Sequence, residues 1–188
     1  MSEFTDFHAV LTQAESLSAL RGQLETSVAG AIVPLDELPY DALETTDAME
    51  AAWAAVPKPI WIKLGIPWEE DVANLAKVGP AVRIKVEEDF SAWALCGQCG
   101  GHAVSIAMLD TTERYREATD MVPLYDADAD LSGFSGCLGV AQDALKATLI
   151  VDGGQAFSAL VGIKYEQMLD MQLEEIEAGE YTFGFAYD

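Results

Sequence analysis

The sequence predicts an α+β fold, in which a mixed, largely antiparallel sheet of five or six strands packs against two long amphipathic helices. Three observations carry this expectation. Apolar residues recur at three- and four-residue steps over 3–28 and again over 155–178, the spacing of a single helical face. Several shorter stretches between them alternate apolar and polar residues with period two, as half-buried strands do. The chain is also long enough for one core: 188 residues, 51% of them apolar, bury about 70% of their unfolded surface. Residues 1–188 therefore read as a single acidic globular domain.

In the first stripe, Phe4, Phe7, Leu11, Ala14, Leu17, Leu20, Leu24 and Val28 share a face, and Gly30 and Pro34 end it. Such a stripe belongs to the core before it belongs to a partner's groove. "PLDELPYDALETTDAME" (34–50) is an acidic connector with two prolines, followed by a short helix over 48–56 that "PKP" stops. "PIWIKLG" then reads as a strand, with Ile60, Ile62 and Leu64 on one face. Pro67 opens a helix whose first turn holds Glu69, Glu70 and Asp71, and Gly79–Pro80 closes it. "AVRIKVE" (81–87) is the next strand, with Val82, Ile84 and Val86 alternating against Arg83, Lys85 and Glu87. So compact a crossover suits parallel strands.

"FSAWAL" and "HAVSIAML" flank "CGQCGGH", and together they predict an antiparallel hairpin with Cys96–Gly101 at its tip. Residues 110–133 read mostly as loop, with one helical turn near 113–118. A short helix near 140–147 and a strand "TLIVDG" follow. In the second long helix Phe157, Val161, Tyr165, Met168, Leu169, Leu173 and Ile176 line one side, and Gly179 is the C-terminal stop. "YTFGFAY" (181–187) then sets aromatic residues strictly against small ones, as a strand.

Charge is the dominant compositional feature. There are 32 acidic residues against 10 basic ones, a net −22, with an isoelectric point near 4.1. Such a field repels nucleic acid and anionic membrane and speeds encounter with basic surfaces. The plainer account is that the charge only keeps the protein dispersed. "MSEFTDF" lacks the basic start of a signal peptide, and no apolar run approaches the ~18 residues of a membrane span. Three cysteines, an odd number, fit no closed disulfide framework, so a reducing cytoplasm is expected.

Motifs for chemistry are sparse. Cys96 and Cys99 have the C-x₂-C spacing of a zinc knuckle, and His102 with Cys137 could complete a tetrahedral set. A second paired motif is missing, which favours a plain glycine-rich turn. Thiol–disulfide catalysis would want the pair at a helix N-terminus, and glycines follow it instead. Neither His8 nor His102 sits in a nucleophile context, and no phosphate-binding loop is present. "VDGGQ" (151–155) is a connecting turn before an anion site. "DADADLSG" (126–133) begins like a calcium loop but has Leu131 and Cys137 where glycine and glutamate belong. No carboxylate pair stands out as general acid and base. Hence no enzymatic activity and no cofactor are expected.

The placement of the acids says more. Glu174, Glu175, Glu177 and Glu180 crowd a predicted helix C-terminus, where the macrodipole disfavours them by ~0.3–1 kcal/mol each. Lys63, Arg83 and Lys85 fall on two predicted strands, where pairing with Glu87 and Glu88 is expected. The sequence thus leads to a non-enzymatic acidic binding module, an inhibitor that mimics nucleic acid and docks on the basic nucleic-acid-binding surface of a nuclease or similar partner. Phage counter-defence and immunity proteins are of this type. Its expected contact residues are Asp126, Asp128 and Asp130 in the loop and Glu174, Glu175 and Glu177 on the helix. Direct contact with nucleic acid or membrane is not expected, while homo-oligomers are compatible. Two alternatives stand beside it: a structural subunit of a viral or other assembly, extending a neighbour's sheet with its C-terminal strand, and a small zinc protein built on Cys96 and Cys99.

Overall fold

The computed structural model describes residues 4–27, 32–34, 46–65, 72–87, 92–108, 131–149, 153–165 and 184–187. Its centre is a strand, β1 (Phe4–Thr12). Phe7 and Ala9 are buried on one side of β1 and Val10 on the other. The helix expected over 3–28 is therefore corrected: it divides into β1, a turn, and α1 (Leu17–Ser27). A strand covered on both faces has apolar residues at odd and even positions alike, so its periodicity imitates other elements. The turn is closed locally, where Thr12 Oγ1 accepts the Ala14 N–H at 3.1 Å. Ser16 then caps α1 by accepting the Ala19 N–H at 3.1 Å.

The remaining elements are β2 (Ile32–Pro34), α2 (Thr46–Ala55), β3 (Ile60–Gly65), α3 (Val72–Leu75), β4 (Ala81–Glu87), β5 (Ala92–Cys99), β6 (His102–Met108), α4 (Ser132–Leu138), α5 (Gln142–Leu149), α6 (Gly153–Val161) and β7 (Gly184–Tyr187). Among the described residues the strands form one sheet in the order β2-β7-β3-β1-β4-β5-β6. The five strands from β3 to β6 pair antiparallel, β7 pairs parallel with β3, and β2 pairs antiparallel with β7. The class is α+β, with helices on both sheet faces. The crossover expected between "PIWIKLG" and "AVRIKVE" does join parallel strands, but β1 lies between them and pairs antiparallel with each.

Register sorts the side chains. Phe7, Trp61, Val82, Ile84, Trp93, Leu95 and Cys99 point to one face, where Leu131, Phe134, Leu145, Phe157 and Ile163 cover them. On the other face Val10, Ile62, Leu64 and Ala81 pack under Leu17, Leu20, Leu24, Trp53 and Leu75. Each apolar side chain removed from water contributes on the order of 1.5–3 kcal/mol. Two indole N–H groups tie elements together: Trp53 Nε1 of α2 donates to Ala14 O in the turn after β1, and Trp61 Nε1 of β3 to Val161 O of α6, both at 2.9 Å.

The second expected long helix starts near its expected place but stops at Val161. Gly162 has φ +82°, and Ile163 N–H reaches back to Ser158 O at 2.8 Å, which together close the helix as a Schellman turn. The part of that expectation beyond 165 lies outside the described residues. Thr148 and Leu149, expected to open a strand, belong to α5. The short helix over 48–56 appears as α2, and "SGCLG" around Cys137 is the end of α4.

Candidate functional site

The six carboxylates expected to contact a partner, Asp126, Asp128, Asp130, Glu174, Glu175 and Glu177, lie outside the described residues. What the structure does bring together is a polar row across the middle of the sheet. On the α1–α3 face, His8 of β1 stands opposite Arg83 of β4, Arg83 opposite Cys96 of β5, and Cys96 opposite Ser105 of β6. Directly opposed residues of this kind sit about 4.5–5.5 Å apart at Cβ. Asp6 and Lys85 form the next row.

Within this cluster Asp6 is the anchor. Arg83 donates from Nε to Asp6 Oδ1 at 2.9 Å and from Nη2 to Oδ2 at 2.7 Å, a bidentate pair. Lys85 Nζ lies 3.8 Å from Asp6 Oδ2, and the Asp6 side chain is only 8% exposed. The hydrogen bond to Asp6 raises the already high Arg83 pKa, burial opposes it, and nearby negative charge adds to the rise. Arg83 and Lys85 thus pair within the chain, as expected, and Asp6 is the partner the structure shows; the Glu87 side chain and Glu88 lie outside the described residues. Lys63 stands opposite Ala9, on the other face from Arg83, and Asp6 bridges the two cations that do share a face. The partner was missed because a helical reading of 3–28 hides it; "TDFHAV" also alternates, and that signal finds it.

The cysteines resolve the opening motif. Cys99 and Cys137 are joined as a disulfide, with Cα atoms 5.9 Å apart. Three residues apart on an extended strand, Cys96 and Cys99 face opposite sides of the sheet. Cys96 is a free thiol, 3.6 Å from Ser105 Oγ. No group of three or more His, Cys, Asp or Glu residues suited to a metal occurs among the described residues. A zinc knuckle would need both thiolates on one side, so this arrangement does not make one. One bridge plus one free thiol accommodates an odd cysteine count, which removes the ground for expecting a reducing compartment. No described helix is long and apolar enough to cross a membrane.

The hairpin expected around "CGQCGGH" is present as β5 and β6, but its tip is only Gly100–Gly101; Cys96 and Cys99 lie within the strand. His102, at the start of β6, lies against Gly133 of α4, so closely that a Cβ there would collide with its ring. The C-terminal strand is paired on both sides, by β2 and by β3. It is therefore not the edge that the assembly reading requires; among the described residues β6 and β2 are. Compared with protein-family models, curated proteins and solved structures, the chain matches none.

Proposed function

We propose that this chain is a non-enzymatic acidic docking protein whose carboxylates seat on the cation-lined, nucleic-acid-binding surface of a protein partner, as an inhibitor of the counter-defence or immunity type would. The observation that carries the reading is the charge, 32 acids against 10 bases; several of the few cations are also engaged within the chain. Arg83 and Lys85 face Asp6. Lys58 donates to the Trp53 and Val56 carbonyls at 2.7 and 2.8 Å, and Lys77 to the Asn74 side chain at 3.0 Å. With every cation counted the acids still exceed the bases by 22, so the outward potential stays negative and available for a partner's arginines and lysines. Asp126, Asp128, Asp130, Glu174, Glu175 and Glu177 are the proposed contacts.

The test is capture from native lysate at low salt, with stepwise salt elution and competition by duplex DNA. A nucleic-acid-handling protein released by both treatments is the expected result. Affinity that stays flat from roughly 50 to 500 mM salt would sink the proposal, because exposed charge pairs are screened over that range.

A further inference from the structure

We propose that the outer edge of β6 is the docking surface, and that an extended basic segment of the partner occupies it as an eighth strand; this rests on the acidic-docking reading above. The two sheet edges among the described residues differ. β2 has three residues and ends in Pro34, which has no N–H to offer. β6 has seven, "HAVSIAM", without proline, aspartate, glutamate, lysine or arginine. Natural edges are usually blunted by such residues or by shortness, and an unblunted one recruits a strand.

Register identifies the atoms. Gly100, at φ +58°, and Gly101 form a two-residue loop between Cys99 and His102, so Cys99 and His102 are a mutually hydrogen-bonded pair. Such pairs alternate with pairs whose backbone groups point away from each other. Gln98–Ala103, Cys96–Ser105 and Ala94–Ala107 are of the second kind. The N–H and C=O groups of Ala103, Ser105 and Ala107 therefore point outward, and the Ala103 and Ser105 side chains are exposed.

Charge selects the occupant. A second copy would bring another −22 to the same edge, whereas a lysine- or arginine-bearing strand gains from the field. The backbone edge supplies hydrogen bonds and register, and the acidic sequence supplies the preference for cations.

The experiment uses the full chain and an alternating Lys-Thr octapeptide at low salt, followed by amide hydrogen exchange and titration. Expected are salt-sensitive binding, protection of the Ala103, Ser105 and Ala107 amides on binding, and about tenfold weaker binding by Ala103→Pro, which removes an outward donor and spares the β5 ladder. Salt-sensitive binding with those amides unchanged and Ala103→Pro unaffected would overturn the edge proposal and leave the acidic-docking reading standing. Absence of binding would overturn both. The free chain needs no variant: if those three amides already resist exchange in it, or become protected as its concentration rises, the edge is covered by the chain itself or by a second copy, and the proposal fails.

Discussion

Single residues decide how the two faces of this sheet are used. Asp6 bridges Arg83 and Lys85 on the face that also holds His8 and Cys96, and a nearly buried carboxylate cannot be removed cheaply. Asp6→Ala should destabilise the chain by about 2–4 kcal/mol in urea denaturation, because it leaves two desolvated cations facing each other. The double variant Asp6→Ala/Arg83→Met should recover much of that loss; if the single variant costs less than about 0.5 kcal/mol, the pair is no anchor. Gly97 acts on the opposite face. A Cβ there would lie 2.6 Å from Phe134 Cζ, so the missing side chain in β5 is the seat for the Phe134 ring of α4. Phe134 is 1% exposed and cannot swing into solvent. Gly97→Ala should therefore cost about 1–3 kcal/mol through overpacking, with Phe134→Leu in the same chain relieving part of it. Equal melting temperatures for Gly97→Ala and the parent would show that α4 does not seat there.

At the scale of elements, the helix ends carry information that apolar spacing does not. The Glu50 carboxylate of α2 accepts the Leu17 and Ser18 N–H groups of α1, both at 2.9 Å, and so puts a negative charge on that helix's N-terminus. Glu50→Ala should cost about 1–2 kcal/mol, measured by thermal melting, and slow-exchanging amides in the first turn of α1 should become fast. Lys58 does the converse at the C-terminal end of α2, donating to two carbonyls with its ammonium 4.2 Å from the Trp53 ring centroid. Burial lowers its pKa, so between the folded and unfolded values the unfolded chain binds more protons and stability rises with pH. Lys58→Met should flatten that alkaline rise, and an unchanged difference between the two profiles would exclude it.

Elements were legible in the sequence where they are half-buried and alternate, as in 81–87 and the hairpin, and where a helix shows a plain stop, as in 48–56. β1 was not, because its apolar residues, Phe4, Phe7, Val10 and Leu11, also fit helical steps that run on into α1, and this masks the alternation of Asp6 and His8 with Phe7 and Ala9. α4 was not, because "SGFSGCL" has two glycines, each costing about 1 kcal/mol of helix propensity, and reads as loop. What holds it helical is tertiary: Phe134 in the core and Cys137 bonded to β5. The Asp6 cluster was hidden for the same reason as β1, since its members meet only once four strands are aligned.

Two global terms, one cross-link and one charge, set the stability of the whole molecule. The Cys99–Cys137 bridge closes a separation of 38 residues and fastens α4 to the sheet. In the chain-entropy account a loop of that length contributes about 4 kcal/mol, so reduction, or Cys137→Ser, should lower the urea midpoint by a corresponding amount. Identical midpoints with and without dithiothreitol would mean that the bridge does not constrain the unfolded chain. The net −22 acts in the opposite sense, since self-repulsion favours expansion.

Salt separates this charge term from docking. The Debye length falls from about 10 Å at 0.1 M to about 3 Å at 1 M, so added sodium chloride should raise Tm, by about 2–4 °C for each kcal/mol of repulsion relieved. The same salt should weaken a complex held by the partner's cations. One titration therefore predicts opposite slopes for fold and for complex, and a complex lost at high salt is not lost to unfolding. If Tm instead falls or stays level as chloride rises, repulsion among the acids does not limit the fold, and loss of a complex at high salt no longer tells docking from unfolding.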